Sequence, residues 1–168
     1  TPELAEAGDL RVASFNVLNF FTTFVGGDAN PTGSNRGALT VAEFELQRTK
    51  IVSAITRLNA DVVGLMEIEN NGYGDNSAIA NLVAALNAAQ PDEADHYAWV
   101  ASPDGQPIGT DAITVGLIYR PASVTPEGAA SLIELPVQQA EAQDASGKPV
   151  AIKQGMRESL LQRFSSPK

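Results

Sequence analysis

The sequence predicts a mixed α/β fold (α+β) built on a strand–helix–strand unit, and three stretches carry that prediction. Asp61-Val-Val-Gly-Leu-Met-Glu67-Ile68 opens as a continuous apolar run, the pattern of a strand covered on both faces. Upstream, residues 10–17 (Leu-Arg-Val-Ala-Ser-Phe-Asn-Val) read as a first strand. Between them, Thr40-Val-Ala-Glu43 forms a capping box, which sets a helix start. Phe44, Ile51, Ile55 and Leu58 then fall on one face of that helix. A right-handed crossover lays the two strands parallel in one sheet.

Taken in order, residues 1–9 form an N-terminal tail with no basic n-region and no apolar h-region. Residues 10–168 read as one domain or part of a larger one. The first strand ends in Asn16-Val17-Leu18-Asn19, where two amides bracket an apolar pair. Residues 22–39 are rich in Gly, Asn, Thr and Ser and hold a single basic residue, Arg36. Loops of this length inside a domain are usually functional or mobile. The helix runs to about Asn59, with Gln47, Arg48 and Lys50 directed to solvent. In the strand that follows, Glu67 interrupts the apolar run just before an Asn70-Asn71-Gly72 turn. An ionised side chain there costs several kcal/mol unless something pairs with it. Glu67 is either solvated at the rim of the sheet or compensated by a metal ion or another cation.

A second helix spans residues 77–89, with Ile79, Leu82, Val83 and Leu86 on one face, Asn76 or Ser77 as cap and Pro91 as stop. His96, the sole histidine, precedes the short strand Tyr97-Ala-Trp-Val100 and reads as packing or surface polarity. Residues 102–110 are a turn-rich loop, and residues 111–121 a third strand with Ile113, Val115, Leu117 and Tyr119 on one face. Beyond it the pattern gives a turn at 125–130, a short strand at 132–135 and a polar loop at 138–148.

Composition narrows the function. Hydrophobic residues make up 43% of the chain, enough for a core, and no run approaches the ~20 apolar residues of a membrane span. Without cysteine there is neither a disulfide nor a thiolate metal site. A net charge of −9 argues against broad attraction to nucleic acid, yet a divalent cation can neutralise phosphate locally. Asn16 and Glu67 close two parallel strands at their carboxyl ends, the edge where ligand sites gather in open α/β sheets. An amide oxygen beside a carboxylate is a hard-oxygen pair suited to Mg²⁺ or Ca²⁺ and not to zinc.

Ala13-Ser-Phe-Asn16-Val-Leu-Asn19, followed by Val63-Gly-Leu-Met-Glu67-Ile-Glu-Asn70, resembles the endonuclease/exonuclease/phosphatase superfamily of pancreatic-type deoxyribonucleases and abasic-site endonucleases. Leu65-Met-Glu-Ile-Glu-Asn-Asn-Gly72 and the Arg36-Gly37-Ala38 … Glu43-Phe44 … Gln47-Arg48 … Lys50-Ile51 pattern are similar to the large secreted or surface-attached bacterial nucleases of that group. Met66 stands where the family usually has Gln. The resemblance implies a four-layered α/β/β/α sandwich with mixed sheets and outer helices. It implies that Asn16 and Glu67 hold a catalytic Mg²⁺ (or Mn²⁺ or Ca²⁺) and that Asp111 orients a catalytic histidine, unless Asp111 is simply a polar loop end. Arg157, if more than an exposed arginine, matches a residue that contacts a substrate phosphate.

The implied activity is divalent-metal-dependent hydrolysis of DNA, or RNA, outside the cell or at its surface. The alternatives are a phosphatase of the same superfamily and an inactive binding or structural fragment. The resemblance spans about residues 10–164 and matches only the N-terminal portion of the family's domain. The family's later histidine strand, Gly-Asp-x-Asn motif and terminal Asp-His pair do not occur. The expectation is therefore an isolated chain that is inactive and that self-associates through the face an incomplete sandwich leaves open.

Overall fold

The computed structural model describes residues 8–133, 138–154 and 158–167, with 138–141 and 151–154 given as backbone only. Its first strand, β1 (Val12–Phe20), lies parallel to β2 (Val62–Glu69), and the helix α1 (Val41–Leu58) makes the crossover between them. The helix begins where its capping box dictates. Thr40 Oγ1 accepts from the Glu43 amide at 3.2 Å, and the Glu43 carboxylate accepts from the Thr40 amide at 3.1 Å. It ends at Asn59, which takes the left-handed conformation (φ 47°) open to an asparagine at a helix end. Phe44, Ile51 and Ile55 are buried, and the Phe44 ring stacks on Phe20 of β1 with centroids 5.4 Å apart. Gln47 and Arg48 are not simply solvated. Gln47 Nε2 donates to carbonyls at the end of β1, as set out below, while Arg48 pairs with Glu45, donates to Asn81 and lies over the Phe44 ring.

The second helix, α2 (Ala78–Ala88), is capped by Ser77, whose Oγ accepts from the Ala80 amide, and it buries Ile79, Leu82, Val83 and Leu86. Strands β3 (Ala98–Trp99) and β4 (Ile113–Tyr119) complete a four-stranded sheet ordered β1-β2-β4-β3. Because β4 runs antiparallel to β2, the sheet is mixed. Both helices pack on one face of it. Ile79 approaches so closely that a Cβ on Gly116 would stand 3.3 Å from Ile79 Cδ1. The opposite face carries Ser14 and Asn16 of β1, Met66 of β2, and Val115, Leu117 and Tyr119 of β4, all half-buried or exposed.

The C-terminal third differs from the pattern read in the sequence. Residues 125–130 form the first part of β5 (Thr125–Ile133), which pairs antiparallel with β8 (Ser159–Ser165). Pro126 and a left-handed Gly128 (φ 71°) look like turn chemistry because the strand is kinked there, with its register slipping between Glu127 and Ser131. Residues 138–148 are not one polar loop. Strand β6 (Gln138–Gln143) pairs with β7 (Pro149–Gln154), and the turn between them closes on Asp144 Oδ1, which accepts from the Ser146 and Lys148 amides. Phe164 of β8 meets Tyr119 on the open face of the main sheet, ring centroids 5.2 Å apart. Among the described residues, no helix is long and apolar enough to cross a membrane.

Ile55 is fully buried between α1 and the sheet. Ile55→Ala should lower the unfolding free energy by about 2–5 kcal/mol, read as a shifted urea midpoint at unchanged slope. A shift under about 1 kcal/mol would show that α1 is not seated on this core.

Candidate functional site

The carboxyl edge of β1 and β2 departs from regular strand geometry on both strands at one level. Asn16 pairs with Met66 and Phe20 with Ile68, so residues 17–19 of β1 stand opposite Glu67 alone. On the other side Met66 pairs with Val115 and Ile68 with Thr114, leaving Glu67 as the extra residue of a β-bulge. Leu18, Asn19 and Glu67 all have positive φ (54°, 52° and 62°). Such a conformation costs a non-glycine residue about 1–2 kcal/mol. The slip has a packing consequence: Leu65 and Ile68 both turn toward the helices, meeting at Gly116, although three residues separate them. Gln47 of α1 meets the carbonyls that the β1 bulge exposes, donating to Val17 O at 3.2 Å and Leu18 O at 2.7 Å.

Glu67 is half-buried, and among the described residues it has no hydrogen-bond or ion-pair partner. Asn16 is exposed on the adjacent strand, its Oδ1 accepting from the Leu18 amide at 2.7 Å. Met66 turns to the open face and accepts a hydrogen bond from Ser14 Oγ at 3.4 Å.

Two residues past Glu67 lies a second carboxylate with the opposite environment. Glu69 is 2% exposed and accepts from the Thr22 and Thr23 amides (2.6 and 3.0 Å), both of their hydroxyls, Asn30 Nδ2 (2.7 Å) and Asn71 Nδ2 (3.2 Å). An ionised carboxylate is acceptor-only, which suits a shell made only of donors. Asn70, 1% exposed, holds the connection into β4: its amide Nδ2 donates to Ile108 O and Asp111 O, and its Oδ1 accepts from the Ile108 amide. Asn71 donates to Asp28 O and accepts from the Ala78 amide at the start of α2. Three consecutive residues thus anchor the three connections that meet at the end of β2. Sequence reasoning missed this hub. Asn70-Asn71-Gly72 reads as a turn, and the one available signal was a run of polar residues directly after a buried strand.

Asp111 lies at this same edge, just before β4. It forms an ion pair with Arg36 at 2.9 Å, and its Oδ1 accepts from the Ala112 amide at 2.7 Å. Arg157 lies outside the described residues. His96 is at the far end of the sheet, next to the β3 residues that pair with the carboxyl end of β4, and its Nε2 faces Gln90 O at 3.1 Å. Tyr73 borders the hub, and burial pushes its phenol up to about 12, so it is no base near neutral pH. A groove of about 790 Å³ lies between α1 and α2 on the helix side, lined by Glu45, Arg48, Ala84, Ala85 and Ala88 among others.

As a metal centre the edge fits in donor type and falls short in donor number. Asn16 and Glu67 offer oxygen ligands on neighbouring strands, whereas the described residues contain no group of three or more His, Cys, Asp and Glu side chains placed to hold a metal. Mg²⁺ suits such a site, because it is commonly held by one or two carboxylates, with water and substrate phosphate completing its shell.

No protein-family model matches the chain, and no curated protein matches it either. What the fold and edge define on their own is an α+β structure with a mixed sheet and, at its carboxyl edge, an acid without a partner among the described residues.

The two glutamates should respond oppositely to substitution. Glu69→Gln places an amide donor among donors and should cost about 3 kcal/mol, with faster hydrogen exchange at the Thr22 and Thr23 amides. Glu67→Gly removes a left-handed side chain and should leave stability unchanged or raise it by about 1 kcal/mol in the same denaturation assay. Equal destabilisation by both would contradict the division of roles.

Proposed function

We propose that the protein belongs to a divalent-metal-dependent phosphodiesterase that hydrolyses DNA, with RNA as the second polynucleotide substrate. The observation that supports this most is Glu67, a half-buried carboxylate in a strained conformation with no partner among the described residues, one strand from Asn16. Strain of 1–3 kcal/mol persists at sites where the surroundings over-determine it, and such sites are often functional. The resemblance of the residues around Asn16 and Glu67 to the endonuclease/exonuclease/phosphatase superfamily supplies the reaction class.

In this reading Asn16 and Glu67 hold Mg²⁺, Mn²⁺ or Ca²⁺. The bound metal would polarise the phosphate and stabilise the leaving oxygen. The protein's own groups orient and hold. Glu69, Asn70 and Asn71 fix the loops around Glu67, and Gln47 steadies the bulge that carries Asn19. By the same resemblance, Asp111 would orient a general base and Arg157 would contact a substrate phosphate. The four-layered α/β/β/α sandwich belongs to the same proposal. The face with Met66, Val115, Leu117 and Tyr119, where Phe164 of β8 already packs on Tyr119, is the surface a second sheet would cover, and self-association is the expected behaviour while the rest of it stays open. Location outside the cell or at its surface follows from the same resemblance.

The single histidine sits at the opposite end of the sheet, which favours, as a second reading, an inactive binding or structural fragment. General base catalysis is typically worth ~10²–10⁴-fold, so this chain alone should nick plasmid no faster than a metal-only blank. Robust metal-dependent nicking, abolished by Glu67→Gln, would show a complete site here. Mn²⁺ titration followed by paramagnetic broadening should affect Glu67 and Asn16 first, and Glu67→Gln should remove that effect. Broadening confined to Asp92, Glu93 and Asp95 would eliminate the proposed centre.

A further inference from the structure

The phosphate of a bound strand would meet an acidic edge. The three connections that gather there, residues 21–40, 70–77 and 100–112, carry Asp28, Asp75, Asp104 and Asp111, and β2 adds Glu67. Arg36 is the only lysine or arginine in all three connections.

The loop presents that cation on a fixed backbone. Asn35 closes a turn around it: its Oδ1 accepts from the Gly37 amide and its Nδ2 donates to Ala38 O, both at 2.9 Å. Gly37 lies so tightly on the end of β1 that a Cβ would stand 2.8 Å from both Asn19 O and Phe21 Cβ. Nearer the start of the loop, Asn30 ties it to Glu69. From this seat on β1 the Arg36 side chain reaches Asp111, which precedes β4, and β2 with Glu67 lies between those two strands. The pair is 44% and 33% exposed. Ion pairs of that exposure are worth about 0–1 kcal/mol, too little to be what holds the loop. The loop positions Arg36; Arg36 does not position the loop.

We infer that Arg36 is a phosphate-binding residue of this edge, exchanging its contact with Asp111 for an oxygen of a nucleic-acid phosphate lying across the end of β2. The inference rests on the phosphodiesterase reading for the identity of the anion. A guanidinium has five N–H donors in a planar fork, so one terminal nitrogen on Asp111 leaves it able to recruit a phosphate. A weak surface pair is readily exchanged, and a backbone already fixed lowers the ordering cost of binding.

The test is binding of a short fluorescein-labelled DNA duplex to the full 168-residue chain, with and without Ca²⁺, over a range of salt concentrations. Arg36→Ala should weaken binding on the order of tenfold and reduce the slope of log affinity against log salt by about 1. Arg36→Lys keeps the charge without the fork, so it should hold the salt slope and recover part of the affinity. Asp111→Asn should strengthen binding, because it releases the guanidinium and removes a repelling charge. If the pair were only a strut, Arg36→Ala and Asp111→Asn would weaken binding alike, and that result overturns the inference. So does wild-type affinity and slope in Arg36→Ala. Glu67→Gln in the same titration separates the two proposals. Binding that needs Arg36 but ignores Glu67 and Ca²⁺ overturns the metal-dependent reading and keeps Arg36. Binding that needs Glu67 and Ca²⁺ but ignores Arg36 does the reverse. A wild-type chain that binds no duplex overturns both.

Discussion

Glu69 inside its shell of donors is the interaction from which the rest of the edge follows. A carboxylate taken out of water is tolerable only when its lone pairs are filled, and an unfilled network is worse than none. Here two backbone amides, two hydroxyls and two side-chain amides fill them. The donors come from residues 22, 23, 30 and 71, so the carboxylate cannot be satisfied unless the connection after β1 folds back over the end of β2. Removing the acid would orphan several buried donors together. The loop from β1 to α1 buries Phe21 and packs Val25 and Ala38 against the core, and Glu69 ties its first part, through residues 22, 23 and 30, to the end of β2.

The bulge at Glu67 is what lets Glu69 reach that position. Side chains alternate along a regular strand, so a register without the slip would send Ile68 to the same face as Met66. Inserting Glu67 turns Ile68 to the helices, beside Leu65 and Ile79, and delivers Glu69 and Asn70 to the loops. The left-handed strain at Glu67 is therefore offset on both sides, by an apolar residue in the core and by a filled carboxylate. Gln47 does the same for β1, closing the carbonyls of Val17 and Leu18 that the matching bulge turns away from the sheet. Strain concentrated at one level of two neighbouring strands leaves a polar side chain from each, Asn16 and Glu67, facing the same edge.

The elements with strong periodicity or capping chemistry were legible in the sequence. Thr40 with Glu43, the Phe44–Ile51–Ile55 face, the buried run of β2 and the helix after Ser77 all follow from local rules that tertiary contacts reinforce. The parallel pairing of β1 with β2 followed from connection handedness. What stayed hidden depends on partners far away in the chain. Glu69 and Glu67 look alike in sequence, and only donors about 40 residues upstream separate them. Strands β5 and β6 carry Pro, Gly, Gln and Ala in place of an alternating apolar pattern, and they are strands because another segment pairs with their backbones. Gln47 reads as a solvated position until the bulge beneath it is known.

The two glutamates also decide which of them is available for chemistry. Glu69 Oε2 accepts four hydrogen bonds and Oε1 two, which fills the carboxylate's lone pairs, so Glu69, though buried at the same edge, is closed as a ligand. Glu67 has the reverse properties: a half-exposed charge, no partner among the described residues, and a backbone held by its neighbours in a conformation it would not choose. Nearby acids make that charge more costly, since Asp111 and Asp28 add to the negative potential at the same end of the sheet. Arg36 supplies one positive charge there and is already engaged by Asp111. The remaining negative charge at Glu67 is what the proposed divalent cation would offset.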